Sequence, residues 1–505
     1  MKASSKTKFK LLDSDKKDLL EFSGRNQEDL KTTDETSPFL NYDYFTTTEI
    51  ISTFGFGKDQ IVALMILSLA FFSEFSIAQL MPILATDLIA EFDLNPSIEP
   101  QILSATFAGF ALSYPLWGLV ADLYGRKKAI IMSGLWSLVW SAASSVAPNV
   151  FWLIIFRLLF SLAGGVTNIV MTYYYEYLPP KYHWMGPISG NQVGGFVFAS
   201  AFPVLAGLLL LHYADLSWRI FVAVTASPLV LFCLAAIVYL LESPRFLLVN
   251  GRSSEAYDVL EKMARRNKRE LPGKFALKVE DEVGRSKEQA KGANILKMSL
   301  AALKNWKILR TFVCIMMIGT TTRFVTYGMS FIKNDFVFRT GKESSYCDEA
   351  HGRIELLKVS DYETLMLTII GELVACAVLI PVLKVNFSLK ISAIVSFGLS
   401  SLLTCILYSC PSLHIALALM TIIRILSQVV NLNMWMRLSG LLPTEVRCSL
   451  FGLCTFFMYF TLPAMPFLTQ DLAKLSPHYT TSVCVLYILV GFIGALLLPI
   501  KMHAN

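Results

Sequence analysis

The chain has 505 residues, 54% of them hydrophobic and 16% charged, with a formal net charge of +6 and a mean hydropathy of +0.54. Soluble domains carry about 25% charged residues, so a soluble fold would need a very large core, and the composition argues against that class. The positive balance does not point to nucleic acid, because the basic residues stand in short clusters at the ends of apolar segments, as in cytoplasmic loops.

In chain order, residues 1–56 are polar and of mixed charge and read as a disordered cytoplasmic tail without a cleavable signal peptide. Within it, "DSDKKDLLEF" sets Asp15 four residues before Leu19 and Leu20, the form of an acidic dileucine sorting signal read by coat adaptors. Six apolar spans follow, at about 61–85, 102–122, 128–147, 151–175, 188–211 and 217–241. Each can cross a hydrocarbon core of about 30 Å, and backbone groups in lipid must be satisfied internally, so the spans are predicted to be helices.

A polar stretch over about 243–305 interrupts the series. Its "SSEAYDVLEKMARRNK" has Ala256, Val259, Leu260 and Met263 at helical spacing, which predicts an amphipathic helix lying at the membrane interface. Six further spans lie at about 308–332, 363–384, 391–410, 412–438, 449–470 and 481–499. The expected architecture is an all-α membrane protein of twelve transmembrane helices. It divides into a six-helix bundle over 57–242, a cytoplasmic linker with amphipathic helices over 243–305, and a second six-helix bundle over 306–500. The placement of Arg126, Lys127, Lys128, Arg265, Arg266, Lys384, Lys390 and Lys501 puts both termini in the cytoplasm. A weak repeat, "IIFRLLF…EYLPPKYH" against "IIRILSQ…GLLPTEVR", relates the halves as parallel copies.

Five ionisable residues fall deep inside spans: Glu74, Arg157, Arg323, Glu372 and Arg424. A charge at the bilayer centre costs at least about 2.5–3.5 kcal/mol on insertion scales and normally faces a cavity or a partner, so together they predict a polar path. Glu74 and Glu372 could bind a cationic group, carry a coupling proton, or pair with Arg157 or Arg424. Arg157 and Arg424 occupy matched places in the halves, which favours a structural role, whereas Arg323 has no twin and could meet a substrate carboxylate. Asn191 and Gln192 could hydrogen-bond a substrate or a neighbouring helix. Tyr173, Tyr174 and Tyr175, closing the fourth span with Glu176, read as interfacial anchors. The alternative is an aromatic wall shared with Trp435 and suited to a cation. The sign of a ligand's charge stays open. No GxxxxGK[ST] loop is present, which argues against direct ATP drive. No metal spacing or catalytic constellation stands out among nine cysteines without CxxC, so no enzyme activity, cofactor or metal is expected.

"GLVADLYGRKKA" is similar to the signature between spans two and three of the major facilitator superfamily. "LESPRFLLVNGRSSEAYDVL", which contains Glu242 and Arg245, resembles a segment shared by sugar porters, organic ion transporters and the synaptic vesicle glycoproteins. With "FGFGKDQ", "SWRIFVAV", "SDYETLMLTIIGEL" and "GLLPTEVRCSLFGL", the chain resembles most the synaptic vesicle glycoprotein 2-related branch, over about residues 54 to 500. The resemblance implies that Gly118, Asp122, Gly125 and Arg126 latch the two halves, with Glu242 and Arg245 grouped with them in a gating or structural role. It also implies secondary active transport of a small organic solute, an organic ion, by alternating access in an intracellular vesicle or plasma membrane. The expected partners are a small-molecule substrate, the bilayer and coat adaptors, with no nucleic acid. Two departures favour the alternative, a vesicle-membrane scaffold or receptor with a transporter fold: "PVLKVNFSLK" keeps only Lys384 and Lys390 of the second signature, and the acidic ending after span twelve is reduced to "LPIKMH".

Overall fold

The computed structural model describes residues 43–93, 98–272, 275–278, 306–340, 388–408, 413–441, 447–468 and 477–499, with a few single positions between. The described part of the tail is folded. Asp43–Thr46 (β1) pairs in parallel with linker residues Phe275–Lys278 (β2), in the register Asp43↔Phe275 to Thr46↔Lys278. Thr47–Phe54 (α1) follows, started by a capping box in which Thr46 and Glu49 satisfy each other's backbone N–H. Its Ile50, Ile51 and Phe54 are buried. The disordered tail expected up to residue 56 is therefore corrected over 43–54, where an apolar helix face finds cover. Asp15, Leu19 and Leu20 lie outside the described residues.

The helices of the first half are α2 (Lys58–Ala78), α3 (Met81–Phe92), α4 (Ile98–Tyr124), α5 (Arg126–Ser145), α6 (Val150–Tyr177, interrupted by a turn at 162–165), α7 (Pro180–Tyr213) and α8 (Trp218–Tyr239). Two linker helices, α9 (Pro244–Val249) and α10 (Ser253–Arg266), come next. The second half has α11 (Trp306–Thr340), α12 (Leu389–Tyr408), α13 (Leu413–Leu441), α14 (Arg447–Tyr459) and α15 (Pro477–Leu497). Among the described residues seven helices are long and apolar enough to cross a membrane by length and composition. Exposed apolar side chains such as Leu112, Phe151, Val238 and Leu402 cover their outer surface, as lipid contact requires. The expected eighth span lies almost wholly outside the described residues.

The linker helix α10 does not lie free at an interface. Ala256, Leu260 and Met263 are fully buried beneath protein, with α1, α2 and α9 as neighbours, which corrects the interfacial reading of its apolar stripe. Its C-terminal end is tied to two spans. Arg266 bonds the buried Asp59 carboxylate at 2.8 Å and the Tyr239 carbonyl at 3.0 Å. Asn267 accepts from the Asp59 N–H and donates to Gln60, and Tyr177 donates to the other Asp59 oxygen. Removing one partner of a buried pair strands the other charge. Because Arg266 is itself partly exposed, Arg266→Ala is expected to cost roughly 1–3 kcal/mol. The readout is an earlier thermal midpoint of the purified protein and faster proteolysis within 250–270; an unchanged melt would show that the tie is ornamental.

Candidate functional site

The two halves meet most closely along α4 and α14. Gly118 on α4 faces the α14 backbone, where a Cβ would come within 2.4 Å of the Cys448 carbonyl oxygen. Gly452 on α14 faces α4 in return, a Cβ there coming within 2.3 Å of the Tyr114 carbonyl oxygen. Small residues at both crossings let the backbones touch. One turn beyond Gly118, Asp122 accepts from the Ser449 N–H and hydroxyl, each at 2.8 Å, and so caps the N-terminal end of α14 with a carboxylate.

Arg126 completes this knot. It lies 3.4 Å from Asp122, forms a two-pronged contact with Glu176 at 3.1 and 3.3 Å, and sits 4.6 Å above the Phe246 ring. Gly125 turns the chain between α4 and α5 at φ 105°, in the left-handed region, with Glu242 so close that a Cβ would meet its Oε2 at 2.3 Å. Glu242 accepts from the N–H groups of Arg126, Lys127 and Ser243. Burial raises its carboxyl above the usual range, against those three donors and Arg126. Arg245 stands in the first turn of α9, next to this knot in sequence. A second seam joins the halves where Ile188 on α7 packs with Val429 and Leu432 on α13. At the far end of the first seam Ser104 donates to the Pro463 carbonyl at 2.7 Å.

The second half solves its own helix ends differently. Lys390 donates to the carbonyls of Leu496 and Leu498 at 2.9 and 2.8 Å, and Arg310 to that of Leu497 at 2.9 Å. Cations thus sit directly on the C-terminal carbonyls of α15.

Between the seams lies an arginine among aromatics. Arg323 on α11 is 1% exposed, and its guanidinium carbon is 5.1 Å from the ring centroids of both Trp435 on α13 and Tyr459 on α14. Tyr459 contacts Tyr114 of α4 at 4.7 Å and Tyr327 of α11 at 6.4 Å. Trp435 is oriented by donating to Asn431 at 2.9 Å, and Asn431 donates to Gln428 at 3.0 Å. Arg424, on the same helix, lies in electrostatic reach of Tyr327, as does Arg323. Asn168 of α6 bridges to Thr455 of α14 at 2.9 Å.

Glu74 is elsewhere. It is 2% exposed and accepts from Ser137 on α5, with Cys233 of α8 as an electrostatic neighbour, so it points into the first half and away from Arg323. Arg157 is 1% exposed and donates to the Ile77 carbonyl at 3.2 Å, one turn along α2 from Glu74. Among the described residues no ion pair joins Glu74 with Arg157 or Arg424. The five deep charges expected on one path thus separate into a Glu74–Arg157 region and an Arg323–Arg424 region, while Glu372 lies outside the described residues. The backbone of Asn191 and Gln192 runs in the wide-turned stretch Ile188–Phe198 of α7.

The tyrosine run is corrected. Tyr173 and Tyr174 are buried, and Tyr173 donates to the Leu241 carbonyl at 2.8 Å, so these two rings serve the protein interior and not a lipid headgroup layer, whereas Tyr175 is half-buried with its ring 4.5 Å from that of His183. Sequence reasoning did not find Tyr114, Tyr327 and Tyr459 around Arg323, Ser449 opposite Asp122, or the Asp59–Arg266 tie. The "GLLPTEVRCSLFGL" segment, which contains Ser449 and Gly452, was the available signal for the second-half partner of Asp122.

Comparison with known proteins agrees with this geometry. The model for the Major Facilitator Superfamily matches residues 64–499. The chain is 25% identical to "Synaptic vesicle 2-related protein" of Xenopus laevis over 471 residues, covering 91% of this chain and 81% of that one. It is 32% identical to "Organic cation/carnitine transporter 7" of Arabidopsis thaliana over 246 residues, 48% of each chain, so that alignment spans about half of the relative. Among solved structures, the proton:xylose symporter XylE bound to 6-bromo-6-deoxy-D-glucose superposes with a TM-score of 0.59 at 16% identity, covering 90% of this chain and 97% of that one. With two halves joined at a glycine-lined, acid-capped seam and a family match over most of its length, the chain belongs to the Major Facilitator Superfamily.

Proposed function

We propose that this multi-pass membrane protein is a secondary active transporter that moves a small organic ion by alternating access between two six-helix bundles, over 57–242 and 306–500. The observation that carries the reading is Arg323: a buried cation, held where helices of both halves converge, with no acid in ion-pair distance among the described residues. A fixed charge of this kind in a bilayer protein marks a solute path. The Asp122–Ser449 cap supports a gate, because it is a contact between halves that rocking would break and remake. A relative named as an organic cation/carnitine transporter supports the organic-ion class. Glu372, Asn191 and Gln192 belong to the proposed route on sequence grounds. The basic linker face is proposed to be cytoplasmic, with both termini on that side, and the tail to engage coat adaptors of an intracellular vesicle.

The test is uptake into proteoliposomes loaded with purified protein, using labelled organic cations, anions, zwitterions and neutral sugars with and without a pH gradient. Saturable accumulation of at least one class is expected. A scaffold with a transporter fold is the second reading, and the Lys390 and Arg310 caps on α15, which bind the second half to itself and not to the first, favour it. No uptake of any compound together with a stable protein partner in pull-downs would select it.

A further inference from the structure

We infer that the Arg323 site takes an organic anion, a carboxylate or phosphate ester on a flat unsaturated body, an inference that rests on the transport reading above and sharpens it. The guanidinium charge is flanked by two rings, Trp435 and Tyr459, each 5.1 Å away. Aromatic faces attract a cation, but they do not complete the directed bonds of its five N–H donors. The Arg323 Nε–H is buried and has no hydrogen-bond partner among the described residues. A planar N–H edge with its charge already held by rings is the arrangement that receives a carboxylate or phosphate through two parallel bonds.

The neighbourhood repeats the same demand. The Gln428 amide nitrogen is a second buried donor without a partner among the described residues, and the Gln428 side chain is linked through Asn431 to the Trp435 indole. Arg424 adds a second positive charge near Tyr327. Among the described residues no carboxylate lies in ion-pair distance of Arg323. Glu176 and Asp122 are engaged by Arg126, and Glu74 faces Ser137. Among the described residues an organic cation would therefore meet repulsion without an acid to offset it, whereas an anion supplies the acceptor that the Arg323 Nε–H lacks. Tyr114 and Tyr327, beside Tyr459, supply ring surface for the body of the ligand.

The experiment uses full-length protein in lipid nanodiscs and matched probes of one shape: benzoate and phenyl phosphate as anions, benzamide as the neutral isostere, benzylammonium as the cation. Binding is read from intrinsic tryptophan fluorescence and from the thermal midpoint. The anions are expected to bind at least about tenfold more tightly than benzamide, with benzylammonium weakest. Arg323→Gln is expected to remove that preference. Arg323→Lys keeps the charge without the fork and is expected to bind about tenfold more weakly than wild type. Monodispersity of each variant is checked by size exclusion, and if Arg323→Gln fails to fold, the lysine variant and Gln428→Leu carry the comparison. Tighter binding of benzylammonium or benzamide, with transport of that class, overturns the anion assignment alone. Undiminished anion binding in a folded Arg323 variant also overturns it. Neither binding nor uptake of any probe or of the wider panel overturns the transport reading, and the anion assignment with it.

Discussion

Asp122→Ala is expected to open the linker face of the protein and to expose Cys448, which is fully buried in the closed seam. The carboxylate does three things at once: it accepts two 2.8 Å bonds from Ser449, it sits at the positive end of α14, and it lies 3.4 Å from Arg126. Hydrogen bonds to a charged group contribute about 1.5–3 kcal/mol each, and a helix N-terminus adds about 0.3–1 kcal/mol. Contacts that share one carboxylate are not additive, so if the open state forfeits them, their loss moves the closed–open balance by about 2–4 kcal/mol, less than the sum of the separate terms. That is roughly 30- to 700-fold in population, at tenfold per 1.4 kcal/mol. Arg126 keeps its Glu176 partner in the variant, so the effect is not that of an orphaned arginine. The measurement is the rate of maleimide labelling at Cys448 with the other cysteines replaced. The expected order of labelling rates is Asp122→Ala, then Asp122→Asn, then Ser449→Ala, then wild type, because these remove charge and acceptors, charge alone, and one donor respectively. A folded Asp122→Ala protein labelling at the wild-type rate would show that the seam is held by the Gly118–Gly452 packing and not by the acid.

Much of the fold could be read from the chain because lipid leaves few alternatives: a long apolar run in a bilayer must close its own hydrogen bonds, and the basic clusters mark where it leaves. The signature around Gly118 and Asp122 was legible for a related reason, since its residues are contiguous and their partner segment has its own recognisable motif. Arg323 illustrates what was not legible. Its aromatic neighbours come from α4, α11, α13 and α14, so no spacing along the chain announces them. Glu74 illustrates a second limit. Position within a span gives depth in the membrane, but α2 is apolar on every side, and only packing against α5 and α8 decides which way the acid points. The tail residues 43–46 were missed because their strand partner lies far off in the linker, beyond the reach of any local pattern.

Glu74→Gln is expected to leave exchange of substrate intact while abolishing its accumulation by a pH gradient. Glu74 Oε1 accepts from Ser137, and Oε2 is buried without a partner among the described residues. On α6, Arg157 bonds only the Ile77 carbonyl among the described residues, and its Nε and Nη2 are likewise buried and unpartnered. The acid of α2 and a guanidinium bonded to α2 one turn away thus both carry buried polar atoms without a partner among the described residues. A small shift of α6 against α2 that brought them together would favour the carboxylate, and separation would favour the acid, because an unpaired buried charge is costly. Protonation and helix position are then linked, which is what coupling requires. Ser133, Ser137, Ser141 and Ser144 are fully buried along one side of α5 and give a line of hydroxyls past Glu74, the sort of polar row along which protons reach a deep carboxyl. One proton carried per substrate is worth about 1.4 kcal/mol per pH unit, so wild type in proteoliposomes should concentrate substrate up to about tenfold across a one-unit gradient. Glutamine keeps the size and an acceptor for Ser137 but cannot ionise. The accumulation ratio should therefore fall to about one, while counterflow between equal pH compartments persists. Ser137→Ala should slow the approach to the same final ratio without changing it. Gradient-driven accumulation surviving in Glu74→Gln would move the coupling proton to another acid, Glu372 first among them.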